Sequence, residues 1–524
     1  MQRNDISAFV AEAAADVPAR QALVETGGRT LTWSALEDEV ARIATGLGAQ
    51  GIRAGQRVMI VVGNRIEFVT AYLGVLRAQV VAVPVNPRST AGEVARMVAD
   101  SGTRLVVVDD TALEVVRAAL AELAELPGHE VAAPVVVVTG TEPAPGEVAF
   151  EALRADVVRP VPPLPDPEKL AAILYTSGTS GRPRGAMLSH RALLANIEQV
   201  ASVEPPMMHG DDVVLGVLPL FHVYGLNAVL GGVLRHRARL LLVEQFEAQA
   251  VLDLIDDEAC SVVPIAPPVF AHWLPDEHLR ERLGPVRLVL SGSAPLEPEV
   301  IEEFTSITGI PVHQGYGLTE ASPVVTSTLC STEPRVGSVG AALPGIELRL
   351  VDETGRPVEG EDPGQIQVRG TNLFSGYWPD GSDGPDAEGW YATGDVGFLD
   401  ASGDLFLVDR VKELVIVSGF NVYPTEVEDV IREVDGVADA AVIGVPDAET
   451  GEAVVAYVVP AGAPRTHLEE AVRAHAVVRL ARFKQPSRIE VVDELPFTAT
   501  GKVQKGRLRG IERRRALGIL EQDR

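Results

Sequence analysis

Strand-length apolar runs alternate with helical patterns through the first 165 residues, and that alternation limits the architectures open to the chain. Apolar residues recur at helical spacing from Trp33 to Gln50, and Val58 to Val62 (VMIVV) reads as a buried strand. Helical spacing returns at Phe68 to Arg77 and Ala91 to Asp100, with strands at Val80 to Val85 and Leu105 to Val108. Strands separated by helices predict an α/β architecture built on mostly parallel sheet. A proline-rich connector, Pro160 to Pro167, leads to a further strand at Ala171 to Tyr175, and Val286 to Leu290 continues the pattern. The texture changes after about residue 340, where short strands and Gly/Asp turns predict a β-rich subdomain of hairpins. From Pro424 a compact α+β unit follows, and the boundary falls near Asp409 to Lys412.

A chain of 524 residues exceeds what one core organises, so two or more domains are expected. The net charge of −28 repels phosphate backbones and anionic lipid and argues against nucleic acid as a partner. Two cysteines, Cys260 and Cys330, stand apart from any histidine cluster, which predicts small core residues in a reducing cytoplasm rather than a disulfide or zinc site. The N-terminal stretch lacks the apolar segment of a signal peptide. Gly216 to Leu234 carries no formal charge, yet its proline, histidine, asparagine and glycines suit a pocket wall better than a membrane helix. Gly46 to Gly51 matches GxGxxG in inverted context, after a helix and before a strand, so a dinucleotide site is not expected there. Lysine is scarce: five against forty arginines, at 169, 412, 484, 502 and 505.

The first chemical motif is YTSGTSGRPRG, Tyr175 to Gly185, directly after a buried strand. Its glycines let backbone approach an anion closely, and Thr176, Ser177, Thr179 and Ser180 add hydroxyls beside Gly178 and Gly181. Arg184 adds charge, and the loop predicts a polyphosphate cradle. It resembles the signature of the adenylate-forming superfamily, which holds acyl-CoA synthetases, peptide-synthetase adenylation domains and luciferases, although that family usually has lysine where Arg184 stands. Further motifs follow in family order over essentially the whole chain. His313 to Glu320 reads HQGYGLTE: Gln314, Gly315, Tyr316, Gly317 and Thr319 are implied by the resemblance to border ATP. The resemblance implies that Tyr316 packs on adenine and that Glu320 holds Mg²⁺ at the phosphates. Ser293, Ala294 and Pro295 match the adenine-side wall. Asp395 in YATGD and Arg410 match the ribose contacts, and a carboxylate accepting ribose hydroxyls is sound chemistry.

The block DRVKELVIVSGFNVYP resembles the family's hinge and crossover segment, closest to fatty acyl-CoA ligases. The resemblance implies an AMP-binding domain over 1–409, a hinge at 410–412 around Lys412, and a small mobile C-terminal domain over 413–524. Gly419 matches the loop lining the pantetheine tunnel. Near the C-terminus, PFTATGKVQK places Lys502 at the family's catalytic lysine, with Thr176, Glu320 and His222 as further catalytic matches. A mobile ammonium can meet the charge that gathers when a carboxylate attacks the α-phosphorus. The basic neighbours of Lys502, Lys505, Arg507, Arg509 and Arg513 to Arg515, read as a solvated tail.

Pro219 to Leu226 (PLFHVYGL) matches the acyl-pocket motif, and His222, Tyr224 and Gly292 are expected at the carboxylate end. Amino-acid-activating relatives carry an aspartate about where His222 sits. Its absence would leave a substrate ammonium unpaired, so a fatty or aryl acid is expected, fatty first. The function implied is ATP-dependent activation of that acid with release of pyrophosphate, then transfer to CoA. An aryl acid or a separate carrier protein are the alternatives, and the presence of Glu320, Asp395 and Lys502 argues against a non-catalytic nucleotide-binding protein. ATP, Mg²⁺ and CoA are the expected small-molecule partners, and a homodimer is left open.

Overall fold

Runs such as Val58–Val61 and Leu105–Val108 carry no charge on either face, so they are stable only in the interior of a sheet whose two faces are covered. In the computed structural model they lie side by side. It describes residues 3–125, 133–177, 183–293, 296, 298–352, 355–358, 364–410, 415–422, 424–462, 467–496, 503 and 505–516. Arg57–Val61 and Leu105–Asp109 are central in a seven-stranded sheet. Outward on one side lie Val135–Thr139 and Val148–Ala149, and on the other Val81–Pro84, Leu170–Ser177 and Pro183–Ser189. Every pairing is parallel except the last, where Leu170–Ser177 turns back antiparallel onto Pro183–Ser189.

A second sheet of nine strands is parallel through its middle, from Gln21–Glu25 to Val312–Gly317, and closes at both edges with antiparallel strands. The largest core cluster spans both sheets and the helices between them, including Trp33, Leu36, Phe68, Tyr72, Leu193 and Leu230. Ile346–Val351, Gly364–Gly370, Trp390–Leu399 and Leu405–Arg410 form a four-stranded antiparallel sheet, as the hairpin texture predicts. The chain leaves that sheet at Arg410 and next enters a five-stranded sheet at Val415, which has its own core around Val422, Ile431, Val442 and Val472. The architecture is α/β, with a large N-terminal part, a β-rich subdomain and a smaller α+β C-terminal unit.

Two local readings have clear outcomes. Gly46 lies inside the helix Trp33–Ala49, where a Cβ would stand 1.6 Å from the carbonyl oxygen of Leu153. It is a packing glycine. The C-terminal tail departs from expectation, because Lys505–Ala516 is a helix. Leu508 and Ile511, three apart, give it an apolar stripe against the C-terminal sheet. Lys505 is buried with Nζ 2.7 Å from Glu428, and Arg515 pairs with Glu512 at 2.9 Å. Gly216–Leu234 resolves into a strand end, a wide helical turn and a short helix, and no helix among the described residues is long and apolar enough to cross a membrane. Cys260 is buried and Cys330 half-buried, both as free thiols.

Gly46→Ala should therefore lower stability by about 1–3 kcal/mol, the usual range for overpacking, which chemical denaturation of the two chains checks.

Candidate functional site

Parallel strands point their carboxyl ends the same way, and the loops that leave those ends define a crevice. Here the ends of Leu170–Ser177, Leu288–Ser291 and Val312–Gly317 converge on one cavity of about 1610 Å³, its open mouth included. Thr176, Arg184, His222, Tyr224, Gly292, Ser293, Gln314, Gly315, Tyr316, Gly317, Thr319, Glu320, Asp395 and Gly419 all line it. These candidates come from segments spread over more than 240 residues of sequence. Gly178, Thr179, Ser180, Gly181, Ala294, Pro295, Lys412 and Lys502 lie outside the described residues, as do the side chains of Ser177 and Arg410.

At the nucleotide end, Tyr316 is buried on its strand, and its hydroxyl donates to Asp395 Oδ2 at 2.6 Å. Asp395 lies on Trp390–Leu399 directly opposite Arg410 in the antiparallel register. Glu320 sits on a short turn after the Val312–Gly317 strand and accepts a hydrogen bond from the Tyr377 hydroxyl. The Tyr377 ring also lies under Arg184, whose guanidinium carbon is 3.7 Å from the ring centroid. Arg184 Nη2 meets Asp383 at 2.6 Å, but Asp383 is exposed and such a pair holds weakly. A polyphosphate carries more charge and can take the guanidinium from it. Among the described residues no group of three or more His, Cys, Asp or Glu gathers around a point. One carboxylate nevertheless suits Mg²⁺, which keeps several waters and draws its other ligands from a bound phosphate.

At the opposite end, Asn64 reaches across from the first sheet. Its amide donates to the carbonyls of Gly216 (3.0 Å) and Leu218 (2.9 Å) and accepts from the Leu220 N–H (2.9 Å). That fixes the approach to His222. A Cβ at Gly225 would stand 2.3 Å from the Pro219 oxygen, so the turn closes only with glycine there. A wide turn, Tyr224–Leu230, follows. His222 Nδ1 accepts the Tyr224 N–H at 3.4 Å, which leaves the proton of the neutral ring on Nε2. Burial pushes the imidazole down to about 4 and pushes the Tyr224 phenol up, so both are neutral at physiological pH. The Tyr224 ring rests against Gly292, where a Cβ would come within 3.0 Å of it. The Ser291 hydroxyl is buried in the same wall and has no hydrogen-bond partner among the described residues.

Beyond these groups the cavity is walled by Val200, Met207, Met208, Ala228 and Val229, none of them charged. A smaller cavity of about 280 Å³ lies behind and shares Val200, Met207, Met208 and Ala228. Met208 is seated over Gly232, where a Cβ would be 2.9 Å from its sulfur. Sequence reading missed Tyr377, Asn64 and this methionine wall. The pair Gly376-Tyr377 was the one visible signal, a glycine–aromatic step in an otherwise unremarked loop.

The AMP-binding enzyme family matches residues 10–378, and the AMP-binding enzyme C-terminal domain matches residues 426–502. The chain is 34% identical to a 4-coumarate–CoA ligase-like protein (number 9) of Oryza sativa subsp. japonica, over 96% of this chain and 91% of that one. It is 30% identical to a long-chain-fatty-acid–CoA ligase of Bacillus subtilis (strain 168), over 97% and 94%. Among solved structures, the amide bond synthetase McbA from Marinactinospora thermotolerans superposes with a TM-score of 0.84 at 29% identity, covering 97% of this chain and 99% of that one.

With its protonation disfavoured by burial, the His222 ring should show no titration between pH 5 and 8 in ¹H–¹⁵N histidine spectra. A His222→Gln variant supplies the assignment. A midpoint near 6.5 would contradict the buried, neutral imidazole described here.

Proposed function

Because the chain belongs to the AMP-binding, adenylate-forming enzyme family, we propose that it joins a hydrophobic carboxylic acid to coenzyme A at the expense of ATP. A carboxylate oxygen attacks the α-phosphorus and pyrophosphate leaves. The thiol sulfur of CoA then attacks the acyl carbonyl, loses its proton to solvent, and AMP leaves. The reading is supported above all by one observation: every described candidate from both halves of the sequence pattern lines a single cavity with a hydroxyl- and arginine-bearing end and an uncharged end.

On this reading Tyr316 packs on adenine beside Ser293, Ala294 and Pro295, while Asp395 and Arg410 take the ribose. Thr176, the loop 177–181 and Arg184 take the phosphates. Glu320, oriented by the Tyr377 hydroxyl, would hold Mg²⁺ there, which when bound would offset phosphate charge. Lys502 would approach the α-phosphoryl oxygens from a C-terminal domain of 413–524, turning about 410–412 against 1–409. His222 offers Nε2–H, and Ser291 its hydroxyl, toward the acid's carboxyl group. Both carboxylates of the described lining, Glu320 and Asp395, lie toward the nucleotide, so the acid arm along His222, Val200 and Met208 offers a substrate ammonium no anionic partner.

The acid itself is proposed as compact and apolar. Relatives include ligases named for 4-coumarate and for long-chain fatty acids, so the family spans both classes expected from the sequence. The wall of Val200, Met207 and Met208 favours an aryl-propenoic or medium-chain acid over a long chain.

Thioester formation with ATP and CoA across benzoic, 4-coumaric, octanoic, palmitic and amino acids tests this. Octanoic or 4-coumaric acid should be turned over best and amino acids not at all. Product formed with amines but not with CoA would replace the acceptor. Met208→Ala should open the wall into the smaller cavity and raise the palmitic-to-octanoic ratio of kcat/KM roughly tenfold, the low end of what one methylene is worth in an apolar pocket.

A further inference from the structure

The scarce lysines include one that no part of the chemistry above uses. Lys484, in the C-terminal unit, is buried although it carries an ammonium. Its Nζ donates to Glu426 Oε1 at 2.9 Å, within the same unit, and to Glu93 Oε1 at 2.7 Å, on the first sheet's helix Ala91–Ser101. The three side chains are 10%, 6% and 4% exposed. Glu93 is held independently: its other oxygen accepts the Thr90 N–H at 2.8 Å in a capping box that starts its helix. The N-terminal part therefore presents a preset carboxylate, and the C-terminal unit brings the cation to it. Beside this contact Phe420 stacks on Phe483 at 4.7 Å and on Phe221 at 6.1 Å, and Gly419 stands at the cavity.

We infer that Lys484 is a positioning residue for the acyl-transfer step: its ammonium, shared by Glu93 and Glu426, latches the C-terminal unit in the orientation that brings Gly419 to the cavity. The inference rests on the two-step reading of the preceding section. Glu93 belongs to one unit and Lys484 with Glu426 to the other, so any rotation that withdraws Gly419 also breaks the Glu93 contact. A buried ion pair gains little net stability because desolvation offsets attraction, so such a latch can open on each turnover. It is selective nonetheless. Without the ammonium, two carboxylates would face each other in a dry interface, and that orientation would be disfavoured. Burial already pushes the Glu426 carboxyl upward, and the cation opposes that shift.

The sign of this argument sets the experiment. Lys484→Met should cut transfer to CoA from acyl-adenylate formed in place by about tenfold or more while ATP–pyrophosphate exchange stays near the parental rate. Octanoic and 4-coumaric acids serve as the probes. Neutralising both carboxylates as well, in Lys484→Met/Glu93→Gln/Glu426→Gln, should restore much of the transfer, which a general packing defect would not allow. Transfer at the parental rate in Lys484→Met, an equal loss in both half-reactions, or no recovery in the triple variant would overturn the latch. A measurement without substrate keeps the test apart from the proposed activity. Spin labels at Glu114→Cys and Glu470→Cys, in a Cys260→Ser/Cys330→Ser background, report the distance between the units by pulsed electron resonance. The distribution should move away from the present orientation in Lys484→Met and return in the triple variant. An unchanged distribution refutes the latch even if neither acid is a substrate.

Discussion

Two anions must meet for the proposed reaction to begin, and the rest of the site follows from that constraint. A carboxylate approaching a triphosphate is repelled unless the surroundings supply donors and withhold negative charge. The cavity does both. At the acid arm, walled by aliphatic and methionine side chains, His222 is neutral with Nε2–H as donor, and the two carboxylates of the described lining, Glu320 and Asp395, lie at the nucleotide end. The fold makes this possible by ending several parallel strands at one place, so that the loops rich in glycine and hydroxyls share one crevice.

Tyr377 shows how one side chain can couple two functions. Its hydroxyl orients Glu320 and its ring supports Arg184, so the proposed metal ligand and the proposed phosphate contact share a single aromatic residue. Asn64 does the corresponding work at the acid end by tying the segment before His222 to the other sheet. Neither residue touches the reacting atoms on this reading, yet both set where those that do must stand.

How much of this could be read in the chain follows a physical rule. Features that depend on a few consecutive residues were legible: the buried valine strands, the HQGYGLTE strand and turn, and the segment around His222 that enters the cavity wall. Features made by packing were not. The methionine wall joins Met207 and Met208 to Val200 and Ala228, and no local pattern marks it. Lys484 follows Arg482-Phe483 in an ordinary polar stretch, and its burial depends on Glu93, nearly 400 residues earlier. In the C-terminal basic run the burial of Lys505 was missed because charges outnumber apolar residues there, whereas Arg515 is exposed as expected. Leu508 and Ile511 dock the helix, and Glu428 takes the Lys505 ammonium.

The central claim is that the acid's own oxygen attacks the α-phosphorus of ATP, and the fate of that oxygen tests it most directly. An accepted acid carrying ¹⁸O in both carboxyl positions is converted to its CoA thioester, and the AMP formed is analysed by mass and by the isotope shift of its ³¹P resonance. The account predicts one ¹⁸O atom in the phosphate of each AMP released. Label appearing in inorganic phosphate with formation of ADP, or AMP free of label, would contradict it.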